Sequence, residues 1–162
     1  MKTILKSLLI LSLTLTVIAK PKKGVLIDIS LNPAGSFQIK AKVKGSLKKK
    51  GDMLVADKLV TKVSTFKTGV DLRDDHTKKK MLYKKFPTVV VTDVKAKNNQ
   101  GIAKIKIMNK MKEIKFRYKD LDKKYAQAVF KLSLKELGIG GINYMGIGVE
   151  DTVKVTATVK KK

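Results

Sequence analysis

Cysteine is absent from the 162 residues, and so is tryptophan. Without thiols the chain can build neither a disulfide framework nor a thiolate metal site. Histidine occurs once, at His76, so a zinc site with two imidazole ligands is excluded. Of the 37 basic residues only Arg73 and Arg117 are arginine; the rest are lysine. Nucleic-acid readers lean on arginine, whose planar fork grips phosphate and guanine, so specific nucleic-acid binding is not expected. Acids number 13, which leaves a formal net charge of +24. Lysines spread along every apparent strand fit a solvated face with weak attraction to an anionic membrane surface. Beyond residue 19 no apolar run is long enough to span a bilayer as a helix.

The first residues, MKTILKSLLILSLTLTVIA, are laid out as a secretory signal peptide. Lys2 and Lys6 supply the charged start, and an apolar run of about 11 residues follows from Leu8 to Ile18. Val17 and Ala19 suit the two small-residue positions of a cleavage site. Residues 1–19 are therefore expected to be removed, leaving 20–162 as a single exported domain with enough chain for one core.

After residue 24 the dominant signal is period-two alternation, the mark of strands with one buried face. In SFQIKAKVKG, Phe37, Ile39, Ala41 and Val43 point one way and Gln38, Lys40, Lys42 and Lys44 the other. A one-residue slip would bury the lysines, so the register is fixed. The same pattern runs through VLIDISL, LVTKV, TVVVTDV, AKIKIM, EIKFRYK, AQAVFKLSL and TVKVTATVK. Turn signals separate these eight segments, at NPAG, KKKGD, KNNQG, MNKM and KDLDKK. Eight short antiparallel strands with one apolar face imply an all-β closed barrel or a sandwich.

Two stretches break the alternation. In TGVDLRDDHTKKKMLYKKFP the acids come first and Lys78, Lys79 and Lys80 follow, which complements a helix dipole. Asp71 reads as the N-cap, with Asp74 at the third helical position. The spacing predicts a short helix near 71–83 that caps one end of the barrel. A metal site is not expected, because the carboxylates beside His76 fall on other helix faces. No serine sits in a G-x-S-x-G elbow, so His76 lacks a nucleophile signature and no catalytic residue is assigned. A hydrolase or lyase built on Arg73, Asp74 and His76 remains the minor chemical reading. The second stretch, KELGIGGINYMGIGVED, fails the G-x-G-x-x-G spacing and lacks a G-K-[ST] ending. Its glycines read as permitting tight turns at a barrel rim.

Thr65, then Arg73-Asp74-Asp75-His76, then Phe86-Pro87-Thr88 form a series that resembles the YceI-like family. Gly35-Ser36-Phe37, Phe130-Lys131-Leu132 with Leu137-Gly138-Ile139, and Val149-Glu150-Asp151-Thr152-Val153 extend it in the family's order. The resemblance spans roughly residues 24 to 160. It implies an eight-stranded antiparallel, lipocalin-like barrel in the periplasm, holding a polyisoprenoid chain. The chain departs from the family in its lysine content and in MNKMKEIKF, which lacks a glycine after the fifth strand.

On this reading Phe37, Phe66, Phe86, Phe116, Phe130 and Tyr144 are expected to line or gate the cavity, and Met81, Leu82 and Met145 to adapt to the ligand. Arg73, Asp74 and His76 are expected either as a polar cluster near the mouth or as a staple between helix and barrel. The expected partner is a polyisoprenoid or isoprenoid quinone, with no other cofactor and no metal. The alternative is a filled barrel acting through its basic surface on anionic membrane or nucleic acid.

Overall fold

The computed structural model describes residues 22–144 and 146–162, so the expected signal peptide and Met145 lie outside the described residues. Twelve strands form one sheet: β1 (Gly24–Asn32), β2 (Ser36–Ala41), β3 (Val43–Lys44), β4 (Lys48–Lys50), β5 (Met53–Lys62), β6 (Thr88–Lys97), β7 (Gln100–Ile107), β8 (Lys110–Asp120), β9 (Tyr125–Ser133), β10 (Asn143–Tyr144), β11 (Ile147–Val149) and β12 (Thr152–Lys160). Among the described residues one α-helix, α1, covers Asp71–Lys80, and a single 3-10 turn covers Val63–Thr65.

The sheet curls into a nearly closed antiparallel barrel. The ladder runs β3-β5-β6-β7-β8-β9-β12-β1, and β2 returns to β1. Joined across Lys42, β2 and β3 make one bent strand, which gives the ring eight positions; taken as separate segments they make nine. These positions are the eight alternating segments of the sequence. β4 adds a hairpin to β5, and β10 and β11 add one beside the end of β1.

A short run after β5 seals the seam where β2 parts from β5. Lys40 and Lys67 exchange backbone hydrogen bonds of 2.7 and 2.9 Å. The Thr65 hydroxyl donates to the Lys62 carbonyl at 2.7 Å and accepts the Lys42 N–H at 3.2 Å. Thr65 thus satisfies the backbone donor left open where β2 and β3 part.

The alternation holds along most of the walls; in β5 it changes parity between the buried Ala56 and Leu59, where Asp57 and Lys58 are both exposed. Ile39, Ala41, Val43, Ala103, Ile105, Ile107, Ile114, Val153 and Val155 are buried, while the intervening lysines are exposed. β6 contains one irregularity. Between the pairs Thr92↔Lys104 and Lys95↔Ile102, Asp93 and Val94 face Ala103 alone. Asp93 is the extra residue of a β-bulge, with φ of 55°, and its carboxylate pairs with Lys104 at 3.2 Å. The bulge resets the alternation, so Val89 and Val91 point inward before it and Val94 and Ala96 after it.

The helix differs in detail from expectation. Val70, not Asp71, is the N-cap, and no side chain caps it. The helix also stops at Lys80 rather than 83. Leu82 adopts φ of 48°, and residues 81–85 form a turn that leads the chain into β6.

Candidate functional site

The inward faces enclose a cavity of about 770 Å³. Its wall is almost wholly aliphatic and aromatic. The room inside has a local cause. At one level of the barrel Tyr118, Ala128, Ala157 and Val25 follow one another across four strands in register. All four line the cavity, and two are alanines side by side. Small residues on adjacent strands leave the centre unfilled.

One end is shut. Leu47 is buried, lines the cavity, and is bound into the C-terminal run. Its N–H donates to the Lys160 carbonyl, and its carbonyl accepts the Lys162 N–H, both at 2.8 Å. The other end is a mouth, where the two stretches that break the alternation meet the same cavity. From the first come Val70, Leu72, Arg73, His76, Thr77 and Lys80; from the second come Leu137, Ile139, Gly141, Ile142, Asn143 and Ile147. Leu137 and Ile139 are buried there and line the cavity. The second stretch is pinned by Asp151, which accepts the Ser133 hydroxyl at 2.7 Å and the Lys135 N–H at 2.6 Å. Those bonds, the hydroxyl's first, hold the Asp151 carboxyl below its ordinary range.

Arg73, His76, Thr77 and Lys80 recur at helical spacing and so present one polar stripe of α1 to the mouth. The Arg73 guanidinium stacks 4.4 Å from the centre of the Phe37 ring at the start of β2. This cation–π contact ties helix to barrel and leaves the charge at the rim.

Asp74 does not join that stripe. It is 2% exposed and lies on a flank of the helix, about 100° round from Arg73. Its Oδ1 accepts the Thr68 N–H at 2.6 Å and the Thr68 hydroxyl at 2.8 Å. Its Oδ2 pairs with the Lys67 ammonium at 2.9 Å. The Thr68 N–H first, and then Lys67, pull the Asp74 carboxyl down to about 2. Asp74 therefore turns to Thr68 and Lys67, while Arg73 and His76 line the mouth and Arg73 also ties α1 to β2 through Phe37. Among the described residues, no group of three or more histidine, aspartate or glutamate side chains is placed to hold a metal ion.

The apolar site residues expected from sequence divide in the same way. Phe37, Phe66, Met81, Phe116 and Phe130 line the cavity. Leu82 and Phe86 do not. Leu82 is 52% exposed because its left-handed backbone turns it outward. Phe86 is half-buried outside the cavity, with the Lys85 ammonium 5.5 Å from its ring centre. Tyr144 is placed by its backbone in β10. Sequence reasoning missed Val70, Leu72, Thr77, Lys80, Asn143 and Ile147; the 73/76/77/80 spacing was the available signal for two of them.

Among solved structures the barrel is similar to a polyisoprenoid binding domain from Saccharophagus degradans implicated in plant cell wall breakdown. The TM-score is 0.62 at 11% identity, covering 85% of this chain and 92% of that one. It is also similar to the YceI protein of Campylobacter jejuni, with a TM-score of 0.51 at 15% identity, covering 75% of this chain and 82% of that one. At such identities the likeness establishes the barrel fold. No curated protein sequence matches the chain. The YceI-like domain matches residues 27–161, nearly all of the described chain, and the protein belongs to the YceI-like family.

Proposed function

We propose that the protein is a periplasmic carrier for a long apolar lipid, a polyisoprenoid or isoprenoid quinone, held in the barrel. The cavity of about 770 Å³ with its apolar wall carries this reading. The polyisoprenoid-binding domain with the same fold supports the ligand class, and the leader read in residues 1–19 supports export. Each buried methylene is worth about 0.8 kcal/mol, so ten of them contribute roughly 8 kcal/mol before binding costs. No covalent step is needed. Length and shape select the tail, and the polar stripe of α1 meets whatever the tail carries at the mouth.

A filled barrel acting only through surface lysines fits less well, because the interior holds a large cavity. The test is organic extraction of the mature protein purified from its own host, with mass spectrometry of the extract. A stoichiometric prenyl lipid is expected. In Ala128→Phe/Ala157→Phe, two rings project into the empty level of the barrel, and lipid content should fall at least about tenfold. Wild-type protein that yields no lipid and takes none up would sink the reading.

A further inference from the structure

The mouth carries a surface unlike the wall. Val70, Leu72 and Ile147 line the cavity and are also 47%, 64% and 49% exposed. Leu72 projects from the first turn of α1, where folding gains little from a leucine. Cations gather at the same end: Arg73, Lys78, Lys79 and Lys80 in α1, then Lys84 and Lys85 in the turn. Against them stand the exposed Asp71, Asp75 and Glu150 and the half-buried Asp151, while Asp74 pairs with Lys67 and Glu136 with Lys112. An apolar rim inside a cationic collar is the chemistry that recognises an anionic bilayer.

We propose that the mouth is a docking face for an anionic phospholipid bilayer. Val70, Leu72 and Ile147 enter the boundary between headgroups and acyl chains, and the lysines of residues 78–85 lie against the phosphates. The barrel axis then stands across the membrane surface with the cavity opening into it. The position of the opening is the second argument. A tail that moves from bilayer to barrel through this rim never crosses water, and each methylene kept dry lowers the barrier enough to speed transfer about fourfold. A rim on the side wall would serve docking but not transfer. Docking is separable from cargo, because it needs the rim and collar and not the hollow.

The chain has no tryptophan, so a single introduced one reports its own surroundings. Leu72→Trp is compared with Ile102→Trp, which sits 43% exposed on the outer wall of β7. Both are mixed with vesicles of phosphatidylglycerol and phosphatidylethanolamine carrying brominated acyl chains. Emission from Leu72→Trp should shift to the blue and be quenched, while Ile102→Trp stays unmoved. The same contrast is expected in the Ala128→Phe/Ala157→Phe background, which removes the cavity as a source of quenching. As a second reading, Leu72→Ser/Ile147→Ser should lose about tenfold in vesicle affinity. Ile102→Ser/Val129→Ser, equal in charge and confirmed folded by circular dichroism, should lose none. Equal quenching at both positions, no quenching at either, or equal losses in the two serine pairs would overturn the proposal and leave only undirected attraction between lysines and lipid.

Discussion

Asp74 shows how a residue conspicuous in sequence leaves two readings open, cluster member or staple, that only its contacts separate. Next to Arg73 and one residue from Asp75, it could be read as a member of a polar trio. The backbone turned it inward to Thr68 and Lys67, neither of which its helical spacing suggested. Its carboxyl is depressed from 3.8 to about 2, so its stabilising contribution is present above 3.8 and is lost as pH falls toward about 2. Asp74→Asn should lower Tm at neutral pH and flatten the dependence of Tm on pH in that acid window; an unchanged slope would show that the staple carries no proton linkage. Gly101 is the second such residue. A Cβ there would meet the Phe116 ring, opposite it on β8, at under 3 Å. Gly101→Ala should cost about 1–3 kcal/mol in urea melts and push Phe116 into the cavity. The sequence offered only a glycine beside a turn, since the cross-strand partner is a product of register.

Elements were the most legible scale. Period-two alternation marked eight segments, and those segments are the eight positions of the ring, because burying one face of each strand leaves few other solutions. Composition alone would not achieve this. Exchanging neighbours in Ile105→Lys/Lys106→Ile keeps every residue type yet puts an ammonium into an apolar cavity. That variant should lose at least about 4 kcal/mol, or fail to fold, as read by chemical denaturation. Exchange of Ile105 for valine should cost only about 1 kcal/mol. Less legible were the departures from period. TVVVTDVKAK hides a bulge at Asp93, visible only as the point where the valines change parity. The helix ended early because Leu82 took a left-handed turn, which a leucine does not advertise.

For the molecule as a whole, the deciding feature is unfilled space. If the interior holds lipid, stripping it removes a ligand bound only by the folded state. At a ligand concentration of 100 times Kd that ligand stabilises by about 2.7 kcal/mol. Delipidated protein should therefore melt several degrees lower, and added isoprenoid should restore Tm. Ala128→Phe/Ala157→Phe should melt at or above the stripped wild type and gain nothing from added lipid, because its rings occupy the space. Calorimetry on the two proteins distinguishes a carrier from a barrel whose hollow has no occupant. The exposed leucine and isoleucine at the mouth belong to this scale as well, since an apolar rim has meaning only beside an opening.

The sequence by itself determined the eight ring strands, most of their inward faces and the positions of the two interruptions, because these follow from local periodicity and turn chemistry; the short β4, β10 and β11 lay in stretches read as turn or interruption. It also carried enough of the Thr65 to Thr88 series to indicate the family. Only the tertiary structure decided that both interruptions come to the same end of the barrel. It separated Arg73 and His76 from Asp74, and it set small residues side by side to leave the centre open. Those outcomes depend on which strands pair and in what register, and pairing across long stretches of chain leaves no mark in the local pattern.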